Sequence, residues 1–136
     1  METSEIIRRI LNVPIFIGEN LTKMRLGSWM GLTEDEVSKK FPDDCQLWNT
    51  RPGDLVLPDR ETLSEVQKRA LKAVDKIKEK TVGSPVLAVT HVAILRCLII
   101  YFQKLDINLY RTIDIPNASV FRLRLDGDSG HITRFL

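Results

Sequence analysis

The spacing of apolar positions changes several times along the chain, and each change marks an element. From Thr3 to Leu11, Ile6, Ile7, Ile10 and Leu11 recur at helical spacing, with Ser4, Glu5, Arg8 and Arg9 opposite. That is one amphipathic helix. Val13 to Ile17 is a short strand or extended piece, which Pro14 confines to an edge or a strand start. Leu21 to Leu32 holds Gly27 and Gly31 at a spacing for turns, with Trp29 and Met30 as core cover. Thr33-Glu34-Asp35-Glu36 is a capping box, opening a short helix to Lys40 or Phe41 that Pro42 stops. Asp44 to Trp48 adds a helical turn. Thr50 to Asp54 and Pro58 to Glu61 are loops, in which Arg51, Asp54 and Arg60 read as ordinary polar residues. Thr62-Leu63-Ser64-Glu65 is a second capping box. It opens the longest helix, to about Lys80, with Leu63, Val66, Ala70, Ala73, Val74 and Ile77 on one stripe. Gly83 ends it.

The most informative stretch follows, from Pro85 to Phe102. Its first apolar run, rich in β-branched residues, closes at Thr90-His91. The run is too short for a stable helix and reads as a fully buried parallel strand. Val92 to Phe102 is long enough for a helix and follows without a Gly or Pro break. Strand, sharp turn and helix make half of a βαβ unit. Ligands of open α/β sheets bind beyond the carboxyl ends of strands, where His91 falls. The N–H groups of Val92 and Ala93 open the helix as unpaired donors, a natural anion site, and Arg96 lies one turn on. A histidine, free donors and an arginine so close together suggest a phosphate or carboxylate pocket. On pattern alone, a packed or capping His91 and a surface Arg96 fit equally well.

Asp106 to Ile115 is mixed. Pro116 to Ser119 is a turn, Val120 to Leu125 alternates as a half-exposed strand does, Asp126 to Gly130 is a hairpin turn, and His131 to Phe135 pairs back. Helices alternate with strands and an antiparallel hairpin comes last. The expected fold class is α/β, a three-layer α/β/α domain with a mixed, mostly parallel sheet. Its 136 residues fit a single domain, 1–136.

Charge and cysteines narrow the function. A net charge of +2, with bases interleaved among acids, gives no reason to expect nucleic acid. Cys45 and Cys97 have no metal-like spacing. They read as reduced thiols of a cytoplasmic protein, with no metal and no cofactor. Arg8-Arg9 and the apolar residues after it are interrupted by Asn12 and Pro14 and lack a small-residue cleavage site, so a signal peptide is not expected. No apolar run reaches the length of a membrane span.

The motifs, taken in order, resemble the histidine phosphatase superfamily, also called phosphoglycerate mutase-like. Leu26 to Thr33 is similar to its G-x-W-x-G-L-T segment. Phe41-Pro42, Leu47-Trp48 and Pro52-Gly53-Asp54 resemble its pocket-covering insert, and Glu61 to Val66 its G-E-S helix start. Thr90-His91 through Arg96 looks like S-H-G-x-x-x-R, and Asn117-Ala118-Ser119 matches N-A-S. The resemblance runs over nearly the whole chain and is specific for the family, not for a substrate.

What the resemblance implies is metal-independent phosphoryl transfer through a phosphohistidine. The nucleophilic histidine of an Arg-His-Gly motif attacks phosphorus. A second histidine and arginines hold the equatorial oxygens, and a carboxylate protonates the leaving alcohol. Carried over, His91 is the second histidine, which binds phosphate rather than attacking it. The N–H of Val92 and the side chain of Arg96 join it. Thr90 supports His91, Asn117 and Ser119 line or buttress the pocket, and Glu61 is a structural or pocket-edge carboxylate. Without the family, Glu61 is a helix-start charge, and Asn117 and Ser119 are turn residues.

Three positions depart from the family pattern. No Arg-His-Gly occurs, and the other histidine, His131, reads as a surface residue. Lys23 stands where the family has its acid; it can bind an anion but cannot act as a neutral carboxylic acid. Val92 replaces the glycine after the second histidine. The chain therefore resembles the C-terminal two-thirds of such a domain. The expected partners are a small phosphorylated metabolite or phosphate, and either a completing chain or a second copy. The alternative function is an inactive phosphate-binding or regulatory module.

Overall fold

A computed structural model describes residues 2–127 and 129–136. Helix α1 spans Glu2–Leu11, α2 Glu34–Lys40, α3 Pro42–Thr50, α4 Leu63–Lys80 and α5 Val92–Phe102. Strands β1, Phe121–Asp126, and β2, Ser129–Arg134, form an antiparallel hairpin in which Leu123 pairs with Ile132. Both capping boxes form. The Thr33 and Thr62 hydroxyls accept the Glu36 and Glu65 N–H groups, and each glutamate accepts the threonine N–H in return. Pro42 ends α2 but also opens α3, because a helix's first N–H is unpaired in any case.

The main core is built on α4 and α5. Leu63, Val66 and Ala70 of the α4 stripe are buried against Ile94, Cys97 and Leu98 of α5. α5 is apolar almost all round because it has two neighbours: α4, and the surface made by β2 and the 3₁₀ segment Ile107–Thr112. Ile132 of β2 and Tyr110 of that segment close this second face. A smaller cluster joins Trp29, Val37 and Leu55. Trp29 is buried as core cover, but Met30, expected beside it, is 59 % exposed; the turn at Gly31 points it outward.

Gly27 shows why this turn is held so closely. Its φ is +55°, and a Cβ there would meet the Pro58 carbonyl oxygen at 2.7 Å and the Arg60 nitrogen at 2.9 Å. The close approach belongs to an isolated bridge between Leu26 and Arg60. The Glu61 N–H extends it by donating to the Arg25 carbonyl at 3.1 Å.

The expected three-layer arrangement with a mixed, mostly parallel sheet is not what the described residues form: their sheet is the two-stranded hairpin. Residues 85–90, read as a fully buried strand, lack a ladder partner and are largely exposed, with Val86 at 47 % and Leu87 at 55 %. Residues 13–17 likewise make no ladder, and Phe16 is 86 % exposed. The reason is physical. A strand buries its faces and pairs its N–H and C=O groups only against a neighbour, and the described residues supply none beside either segment. α1 forms as expected, yet none of its residues is buried. The turn of the hairpin includes residue 128, outside the described residues.

Candidate functional site

A hollow of about 250 Å³ opens between the start of α5 and the turn at residues 116–119. Thr90, His91, Val92, Asn117 and Ser119 all line it, with Leu95 and Ile115 as its apolar wall. Five of the eight site residues expected from the sequence are thus brought together, from two stretches far apart in the chain.

His91 is the residue before the first turn of α5, with extended backbone (φ −105°, ψ 156°). Its carbonyl accepts the Leu95 N–H at 3.2 Å, and its side chain caps nothing. The first N–H groups of α5, Val92 among them, have no partner within the helix. No acidic side chain sits in that first turn to neutralise them, so the helix start is open to an anion. Opposite, the Ser119 hydroxyl donates to the Pro116 carbonyl at 2.6 Å and its N–H to the same oxygen at 3.2 Å. These bonds fold a turn in which Ala118 takes a left-handed φ of 60° and Asn117 is left exposed.

Thr90 fixes the other edge: its hydroxyl donates to the Leu21 carbonyl at 2.9 Å. The segment carrying Leu21 is itself clamped by Arg69 of α4. That guanidinium donates to the carbonyls of Asn20 (2.8 Å), Thr22 (2.9 Å) and Lys23 (3.4 Å). It also grips both oxygens of Glu61, at 2.7 and 3.0 Å. Glu61 is 3 % exposed and accepts the Arg25 N–H at 2.9 Å as well. Burial alone would raise its carboxyl, but the Arg69 guanidinium and the Arg25 N–H outweigh that and hold it below the usual range. Glu61 thus lies outside the hollow, anchoring the loop that Thr90 reaches.

Two further expected site residues also lie outside the hollow's lining. Arg96 donates from Nε to the Ile113 carbonyl at 2.9 Å, with its guanidinium 5.2 Å from the Tyr110 ring centre. It braces the chain just ahead of the 116–119 turn. The Lys23 side chain is exposed on the clamped loop. His131 is exposed on β2, opposite Arg124.

Sequence reasoning missed two arginines. Arg69 follows Glu61 at a separation matching no local pairing rule, so nothing in the pattern flagged it. Arg60, read as an ordinary loop residue, is 6 % exposed. It lies between the rings of Trp29 and Trp48, 4.5 and 4.3 Å from their centres; only the three-dimensional fold brings those rings to it. Among the described residues no three His, Cys, Asp or Glu side chains gather as a metal site would, and no helix is long and apolar enough to cross a membrane.

Comparison with known proteins gives this geometry its family. The profile of the histidine phosphatase superfamily (branch 1) matches residues 1–136, and the chain belongs to that superfamily. Phosphoserine phosphatase 1 of Hydrogenobacter thermophilus is 21 % identical over 108 residues, which cover 79 % of this chain and 51 % of that protein. Phosphoglycerate mutase-like protein 4 of Arabidopsis thaliana is 28 % identical over 130 residues, 93 % of this chain and 55 % of that one. The solved structure of Bacillus stearothermophilus YhfR superposes with a TM-score of 0.90 at 30 % identity, covering 98 % of this chain and 66 % of YhfR. The fold class is therefore α/β, shared with that solved structure. The chain spans about half the length of the two curated relatives.

Proposed function

We propose that this chain supplies the phosphate-holding part of a phosphomonoesterase or phosphomutase centre, whose nucleophilic histidine lies outside the present sequence. The observation that carries the proposal is the convergence of His91, the open N–H of Val92, Asn117 and Ser119 on one hollow at the start of α5. In it, the His91 imidazole and the Val92 N–H hold the equatorial oxygens of a phosphoryl group. Asn117 and Ser119 shape the opposite wall, and Thr90 and Arg96 position the two edges. A histidine nitrogen attacks phosphorus as the ester P–O bond breaks, and the leaving oxygen takes a proton from an acid. Water then cleaves the phosphohistidine to free phosphate. Fixed donors around the phosphoryl oxygens carry most of such catalysis. Lys23, a cation on the neighbouring loop, would attract the anionic substrate rather than protonate its leaving group.

Residues 13–17 and 85–90 would then become strands of a mostly parallel, three-layer fold once a neighbouring strand pairs with them. That strand comes from a longer polypeptide or from a partner chain. The substrate is a small phosphorylated metabolite, the setting the cytoplasm, and no metal takes part.

The test is hydrolysis of p-nitrophenyl phosphate without added metal. The 136-residue chain alone should show no turnover, and a longer polypeptide restoring an upstream Arg-His-Gly segment should be active and lose that activity with His91→Ala. An inactive longer polypeptide that still binds phosphate would favour the second reading, a regulatory phosphate-binding module. Lys23 and Val92, at positions where the family has an acid and a glycine, are what that reading has in its favour.

A further inference from the structure

A second cavity, of about 440 Å³, lies between α2, α3 and the turn that carries Trp29, away from the lining residues of the His91 hollow. Its wall includes Trp29, Trp48, Arg60, Cys45 and Asn49. The buried Arg60 guanidinium sits in the corner formed by two indole rings that stand at 89° to each other, 4.5 and 4.3 Å from their centres. Its Nε and Nη1 are sealed from solvent and have no hydrogen-bond partner among the described residues, and the Trp29 Nε1 donor is in the same condition. Three unanswered donors, one set of them cationic, are costly to bury. They are also what an oxyanion requires, since hydrogen bonds from a charged donor to an anionic oxygen are the strong ones.

Two carboxylates stand at the same cavity and already have partners. Glu34 pairs with Arg111 at 3.7 Å, and Asp35 with Lys39 at 2.6 Å. Arg60 is thus the buried cation of the cavity wall with no carboxylate of its own among the described residues.

We propose that this cavity is a second ligand site, which binds a small oxyanion, a carboxylate or a phosphate, on the unpartnered N–H groups of Arg60 with Trp29 Nε1 as a further donor. The site is separate from the His91 hollow and does not depend on the function proposed for it. The two are linked in structure: the Trp48 ring packs on Tyr110 at 5.4 Å, and Tyr110 carries the Arg96 guanidinium on its face. An occupied Arg60 site therefore borders the residues that brace the 116–119 turn.

The two tryptophans of the sequence both flank Arg60, so the intrinsic fluorescence of the chain reports on this site. Inorganic phosphate and acetate are titrated separately, in chloride buffer, into wild type, His91→Ala and Arg60→Met. The expected result is a saturable fluorescence change in wild type and His91→Ala that is lost in Arg60→Met. The anion that produces it identifies the site as a phosphate or a carboxylate site. A wild type without a saturable change to either anion overturns the proposal. So does a change that persists in Arg60→Met, or one lost in His91→Ala, which would place the anion in the other hollow. Should Arg60→Met fail to fold, alkylation of Cys45 in wild type decides the matter. Cys45 is half-buried in the cavity wall, and the effective anion should slow its alkylation severalfold; an unchanged rate overturns the proposal.

Discussion

Glu61 and Arg69 hold the candidate site in place without entering it. Breaking a buried ion pair by removing one charge leaves the other uncompensated, at about 3 kcal/mol. Glu61→Gln should therefore lower the melting temperature clearly at neutral pH, with Arg69 and the loop at residues 20–25 losing their fixed geometry. The pH dependence has a definite sign. The folded Glu61 carboxyl titrates below its ordinary value of 4.5, so its contribution is complete above that value. It is lost as pH falls through the lower folded value. Thermal melts of wild type and Glu61→Gln should converge in acid and stay apart at neutral pH; an equal gap throughout would contradict the assignment. The cysteines give a second check. Burial pushes the Cys97 thiol up to about 12, and it is wholly enclosed by α4 and α5. A thiol reagent added to the native protein should modify Cys45 and reach Cys97 only on unfolding.

The helices were the most readable elements, since each announces itself locally. Both capping boxes, the α4 stripe and the apolar run of α5 were visible as spacing, and all of them form. Thr62→Ala, which removes the α4 cap, should cost about 1 kcal/mol in chemical denaturation. Gly27→Ala should be worse than that despite the smaller chemical change. Its φ is left-handed, and the added methyl would press on the backbone at Pro58 and Arg60. A melting temperature unchanged by Gly27→Ala would mean that the Leu26–Arg60 bridge is not held as described. What spacing could not convey is pairing at a distance. Arg69 reaching back to Asn20 and Thr22, or Arg60 settling between Trp29 and Trp48, depends on chain reversals that no local pattern encodes. One side of the hollow was readable because His91 stood at a strand end, where ligand sites concentrate; Asn117 and Ser119 read locally as turn residues and were pointed to only by the family's N-A-S motif. Arg96, equally prominent in the pattern, faces the Ile113 carbonyl and the Tyr110 ring instead.

At the scale of the whole molecule, the apolar surface of residues 13–17 and 85–90 dominates. Both were correctly read as apolar runs, but burial is a property of a strand and its neighbours together, and a sequence pattern describes only the strand. Exposed apolar segments with unpaired backbone groups invite another chain. The 136-residue chain should therefore sediment as a concentration-dependent mixture of species. Leu87→Lys, which places a charge in the longer segment, should shift that mixture towards monomer. A single sharp monomer boundary across a wide concentration range would contradict the idea that these segments await a partner. The same surface separates the two functional readings, because a completing strand can bring a nucleophile and a second copy of this chain cannot.

The central claim is that His91 and the start of α5 hold a phosphoryl group. With two histidines in the chain, proton NMR of the imidazoles during titration with inorganic phosphate, at constant pH and ionic strength, tests it most directly. The His91 resonance should move saturably while that of exposed His131 stays in place. Asn117→Ala should weaken the response without removing it. A stationary His91 resonance, or one that drifts in step with His131, would mean that the hollow does not bind phosphate.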